Sequence, residues 1–103
     1  MSGDSNKIIV PKPLMDRIRL WAVEMKEVGE VELFVGALRL MDQQLKFNAK
    51  KWGDPLFNYP KIEAVECRGL IERWLLVWYG WHAASRTVYV RDIRPAPGSP
   101  LSL

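Results

Sequence analysis

Five arginines, Arg68, Arg73, Arg86, Arg91 and Arg94, crowd the last third of the chain, and Glu66 stands two residues before the first of them. Residues two apart on a strand share a face, so Glu66 and Arg68 are placed to act together. A carboxylate beside guanidinium groups suits a reaction in which a proton is removed while a crowded anion is held. In that reading Arg68, Arg73 and Arg91 are the cations, Glu66 is the base, and Tyr89 stacks on a base or assists proton transfer from the face it shares with Arg91. Lys50, Lys51 and Arg94 extend the basic surface around them. Each residue also has a plainer reading. Glu66 and Arg68 suit a solvated ion pair, Tyr89 a packing aromatic, and Lys50 and Lys51 a complement to the dipole at a helix C-terminus. His82, the only histidine, reads as a hairpin-turn residue.

The elements that must position these residues form a simple order. Lys7-Ile8-Ile9-Val10 is stopped by Pro11 and Pro13, which permits only an edge strand or an extended arm. Pro13 suits the first turn of a helix, and Leu14, Ile18, Trp21, Ala22, Met25 and Val28 recur on one helical face up to a cap near Gly29. A second helix is expected from about Glu30 towards Trp52. Its apolar residues occupy two stripes, Val31, Phe34, Val35, Leu38 and Leu45 on one side and Leu33, Ala37, Leu40 and Phe47 on the other, which suggests a helix sandwiched between its partner and a sheet. Gly53-Asp54-Pro55 breaks it, and Asn58-Tyr59-Pro60 continues as a loop.

Three strands are then expected, at Ile62 to Arg68, Arg73 to Trp81 and Thr87 to Ile93, with Gly69 loosening the end of the first or marking a bulge. The stretch between the second and third fits only a hairpin, so they pair antiparallel. Val65 and Cys67 share one face of the first strand, and Val88 and Val90 share the helix-facing side of the third. Trp21 belongs in the core, as do Trp74 and Trp78, which alternate with Leu76 along one strand face. The expected fold is α+β, an N-terminal helical hairpin packed on one face of a small twisted antiparallel sheet, with the other face open for function. A single domain spans 1–94, followed by a flexible Pro-rich tail over 95–103.

Composition sets outer limits. The chain has 103 residues, 49% of them hydrophobic and 26% charged, enough for one two-layer core. A net charge of +3 permits an anionic partner without demanding one. The single Cys67 excludes an internal disulfide and a cysteine zinc cage, and a buried thiol is its expected state. No phosphate-binding glycine loop, nucleophile elbow or metal-spaced cluster is present, so neither a cofactor nor a metal is expected. The opening Met1 to Asn6 does not read as a signal peptide, and the most apolar run, Trp74 to Ala84, falls short of the roughly 20 residues a bilayer needs. A reducing cytoplasm is the expected setting.

The order of elements resembles the RelE/ParE superfamily of toxins from type II toxin–antitoxin pairs. The residues that carry the resemblance are the apolar start Ile8-Ile9-Val10, the helical hairpin, the break Asp54-Pro55-Leu56, and Leu76-Val77-Trp78-Tyr79 followed ten residues later by Tyr89-Val90-Arg91-Asp92-Ile93. The resemblance implies a helical hairpin against a twisted sheet whose concave face acts on a large target. Some members cleave messenger RNA on the ribosome, others poison DNA gyrase, and a cognate antitoxin neutralises both. For the RNA-cleaving kind it implies arginines and lysines on the sheet and a Tyr or His near the C-terminus; the residues read above for such a site are Glu66, Arg68, Arg73, Tyr89 and Arg91 in catalysis, with Lys50, Lys51 and Arg94 binding RNA. The sequence departs from the family pattern at two places: Leu75 and Leu76 stand where a strand arginine is usual, and no Tyr or His follows Arg94. Cleavage and noncatalytic binding of a protein target or antitoxin therefore both stay open.

Overall fold

The computed structural model describes residues 5–102; Met1 to Asp4, part of the opening read as no leader, lie outside them. The chain runs β1 (Lys7–Ile9), α1 (Lys12–Glu27), α2 (Val31–Phe47), a short α3 (Ala49–Trp52), β2 (Asp54–Tyr59), β3 (Ala64–Ile71), β4 (Leu75–His82) and β5 (Thr87–Pro95), with one 3-10 turn at Pro60–Ile62. The fold is α+β, a helical hairpin over one face of a five-stranded sheet ordered β1-β5-β4-β3-β2. The last four strands form an antiparallel meander, whereas β1 joins β5 in parallel. The sheet is thus mixed rather than wholly antiparallel, because the chain enters β1 and crosses through both helices before the meander begins.

The hairpin turn follows from Gly29. The residue has φ of 76°, which a side chain resists, and the Glu30 amide reaches back to the Met25 carbonyl at 2.8 Å while the Gly29 amide reaches Lys26 at 3.2 Å. Leu14, Trp21 and Met25 of α1 and Phe34, Ala37, Met41 and Leu45 of α2 are buried in one cluster with Leu75, Val77, Tyr79, Val88, Val90 and Ile93 of the sheet. Trp21 is core, as expected. The second stripe of α2 is not: Leu33, Leu40 and Phe47 are exposed, so this helix has one covered face and is not sandwiched.

Asn48 interrupts the second helix, and α3 continues for one turn to Trp52. In an uninterrupted helix the Gly53 amide would bond to the Ala49 carbonyl. Here the Tyr79 hydroxyl is inserted between them, accepting from Gly53 N at 2.9 Å and donating to Ala49 O at 2.6 Å. A Cβ on Gly53 would lie 2.7 Å from that hydroxyl, so the close approach needs glycine. Burial pushes both the Tyr79 phenol and the Cys67 thiol beside it above their ordinary values. Trp52 stacks on Tyr79 with centroids 5.7 Å apart.

Two further expectations need correction. The segment after Gly53 is strand β2, not loop; Pro55 is tolerated there because β2 is an edge strand with an irregular register between Pro55 and Phe57. Gly69 does not end a strand or form a bulge: it pairs with Val77 within β3, and its missing Cβ makes room for the Trp52 ring. The tail is docked. β5 continues through Pro95, Ala96 and Leu101 are buried, and the Ser102 carbonyl accepts from the Trp21 indole N–H at 2.5 Å. The buried indole needs an acceptor, and the Ser102 carbonyl supplies it. No helix among the described residues is long and apolar enough to cross a membrane.

Candidate functional site on the open sheet face

β4 divides its side chains between the two faces of the sheet. Leu75, Val77 and Tyr79 point into the core, and Trp81 packs against its margin. The alternate residues Leu76, Trp78, Gly80 and His82 therefore belong to the uncovered face. Trp78 corrects the sequence reading: the strand begins at Leu75, Trp74 is a buried turn residue against Phe34, and Trp78 lies outside under the Arg94 guanidinium at 5.7 Å. From β3 the same face receives Glu66 opposite Gly80 and Arg68 opposite Trp78.

β5 carries a bulge opposite Trp78 and Tyr79, where Trp78 pairs with Asp92 and Tyr79 with Val90. Arg91 is the extra residue. A bulge of this kind lets two consecutive residues leave the same side of a strand, so Arg91 and Asp92 both serve the open face while Ile93 returns to the core.

The centre of the site is the Glu66–Arg91 pair. Arg91 Nη2 donates to Glu66 Oε2 at 2.9 Å, and Nε donates to both carboxylate oxygens at 3.2 and 3.3 Å. These hydrogen bonds and the carboxylate charge push the guanidinium further above its ordinary value. Gly80 permits the arrangement, since a Cβ there would come within 3.0 Å of Glu66 Oε2. Around this pair lies a concavity of about 250 Å³ lined by Glu66, Gly80, His82, Tyr89 and Arg91. The His82 and Tyr89 rings meet edge to face with centroids 5.2 Å apart. Two adjoining concavities, one with Trp78, Asp92 and Arg94 and one with Ile9 and Pro11, share Arg91 with the first.

Asp92 anchors the rim. It accepts from Arg94 Nε at 2.7 Å, Arg17 Nη1 at 2.9 Å and the Ile93 amide at 2.9 Å. Partial burial pushes its carboxyl up, but hydrogen bonds from Arg94, Arg17 and Ile93 together with the Arg94 charge hold it below the ordinary carboxylate value.

Of the sequence candidates, Glu66, Arg68, Tyr89, Arg91 and Arg94 share this face. Arg73 does not. It occupies the β3–β4 turn with φ of 73°, pairs with Glu30 at the start of α2 at 2.6 Å, and covers the Trp74 ring at 5.0 Å. Lys50 and Lys51 are also elsewhere, lining a separate concavity beside α3. Sequence reasoning placed His82 in the hairpin turn and Trp78 in the core, and missed Asp92. The parity of β4 would have found the first two once its start was fixed at Leu75, whereas Asp92 depends on a bulge that nothing in the local sequence announces.

Among the described residues no group of three or more His, Cys, Asp or Glu side chains is arranged to hold a metal ion. Comparison with protein-family models, with curated proteins and with solved structures finds no match to this chain.

Proposed function

We propose that the chain is the toxin of a type II toxin–antitoxin pair, acting in the cytoplasm on ribosome-bound messenger RNA through its open sheet face. One observation carries the reading: Glu66, His82, Tyr89 and Arg91 surround a single concavity on the sheet face the helices leave bare. Those residue types match the needs of RNA cleavage by its own 2′-hydroxyl. Glu66 takes the hydroxyl proton as O2′ bonds to phosphorus. The P–O5′ bond breaks, and His82 donates a proton to the departing O5′, leaving a 2′,3′-cyclic phosphate and a 5′-hydroxyl. Glu66 engages Nε and Nη2 of Arg91, which leaves Nη1 and the neighbouring Arg68 for the phosphate oxygens. Tyr89 and Trp78 offer aromatic faces to the flanking bases.

Induced expression in a bacterium, with mapping of new RNA ends, tests the reading. Growth arrest and new 5′-hydroxyl ends are expected from the parent and not from Arg91→Ala or His82→Ala. Unchanged cleavage in both variants, with the fold intact by circular dichroism, overturns the assignment.

A second reading, a noncatalytic module that inhibits a protein such as gyrase or only pairs with its antitoxin, draws on β2. All six residues of that edge strand are exposed, and Phe57 stacks on Tyr59 at 4.6 Å, an arrangement suited to an added strand from a protein partner. Altered DNA supercoiling without new RNA ends would favour it.

A further inference from the structure

A second basic concavity, of about 270 Å³, lies where α2 gives way to α3, against the β4–β5 hairpin. Among the described residues Lys46, Lys50, Lys51 and Arg86 line it, and no aspartate or glutamate does. Lys46 is answered by Asp42 at 3.0 Å, but neither Lys50 nor Lys51 has an ion-pair partner among the described residues. The neighbouring ammonium groups of Lys50 and Lys51 repel one another until an anion enters. Phe47 stands on the same wall at the end of α2, 64% exposed, and contributes nothing to the buried core. An exposed ring among ammonium groups is the composition that clamps a phosphate chain and stacks its bases, whereas an inorganic anion has no use for the ring.

The place of this hollow ties it to the open face. Trp81 lines it and the next residue, His82, lines the candidate catalytic concavity, so the two sites lie back to back across one residue step of β4. We propose that the α2–α3 hollow is a second binding site for single-stranded RNA, with Lys50 and Lys51 holding backbone phosphates and Phe47 stacking a base. The proposal rests on the reading of the open face as RNA-directed, and it assigns Lys50 and Lys51 to an accessory site rather than to the cleavage site.

The test is fluorescence anisotropy of a labelled oligouridylate 12-mer with the full chain, across a salt series. Lys50→Gln combined with Lys51→Gln should weaken binding about 10-fold at low salt and reduce the slope of log affinity against log salt by about 1.4, two phosphate contacts on a single strand. Phe47→Ala, at an exposed position, should weaken binding about 5- to 100-fold with little change in slope. No effect of Phe47→Ala, or polyglutamate competing as well as the oligonucleotide, would overturn the RNA assignment in favour of a general anionic partner. Arg91→Ala separates the two sites. Loss with Arg91→Ala alone would sink the second site and leave the open face standing; loss with the lysine pair alone would do the reverse; and no RNA binding by the parent would sink both.

Discussion

Replacing Tyr79 with phenylalanine removes one oxygen from the middle of the molecule and should unfasten the junction between the helices and β2. Tyr79 is wholly buried, and its hydroxyl holds the Gly53 amide and the Ala49 carbonyl apart by bonding to both. Without it two buried backbone groups lose their partner, each at a cost of about 1–3 kcal/mol. The costs do not simply add, because Gly53 and Ala49 can approach by winding α3 a little further. That rewinding would pull Asp54 out of register with Arg68 at the head of β2. A loss of about 2 kcal/mol is the expected compromise, which shifts the folding equilibrium about 30-fold. For a domain of this size the midpoint of thermal unfolding should fall by about 8–16 °C. Urea titration measures the loss, and amide hydrogen exchange locates it: Gly53 should exchange much faster while β4 stays protected. A variant as stable as the parent, with Gly53 still protected, would refute the bridging role and show that the helix closes its own hydrogen bond without strain.

Two alanine substitutions should move stability in opposite directions. At Gly69 a Cβ would sit 2.5–2.7 Å from three atoms of the Trp52 ring and should cost about 1–3 kcal/mol, whereas exposed mid-helix Gly36 has open space and its replacement should add about 0.5–1 kcal/mol; paired urea titrations decide both signs. Asp92 has a carboxyl held below its unfolded value near 3.9, so its stabilisation is complete above about pH 4 and fades as pH falls through the lower folded value. The stability gap between the parent and Asp92→Asn should therefore narrow below about pH 4, and a gap constant from pH 5 to 2 would remove the carboxylate from the account. Leu101→Ala should cost about 2 kcal/mol in a thermal melt if the C-terminal segment is docked as described; no change would mean that the segment contributes nothing to the core.

Some parts of this arrangement can be read directly from residue order. The stripe from Leu14 to Met25, the cap at Gly29, the edge position of β1 and the inward Cys67 follow from local periodicity and backbone preference. Glu66, Tyr89 and Arg91 can be assigned to one face by counting in twos. Counting fails after Arg91, because the bulge resets the parity and sends Asp92 out and Ile93 in. It also fails for Trp78, since a strand taken to start at Arg73 gives no reason to separate Trp78 from Trp74. Arg73 is a cation in any reading, but its partner Glu30 is 43 residues away, and only the folded chain joins them. The C-terminal segment was legible as irregular and not as mobile; proline excludes a helix, and says nothing about whether Leu101 finds a place against α1.

The site owes its coherence to register as much as to residue type. β4 places an apolar set against the helices and Leu76, Trp78, Gly80 and His82 on the other side, so a slip of one residue would drive His82 into the core and expose Tyr79. Gly80 makes the space into which Glu66 turns towards Arg91, and the bulge brings Arg91 and Asp92 out together. Through Asp92 the open face is joined to the helix layer, because Arg17 of α1 bonds both to that carboxylate and to the Ile93 carbonyl at 2.6 Å. The helices thus do more than cover the reverse of the sheet. They fix the strand end from which Asp92 holds Arg94 over Trp78, and so set one rim of the surface on which Arg91 is central.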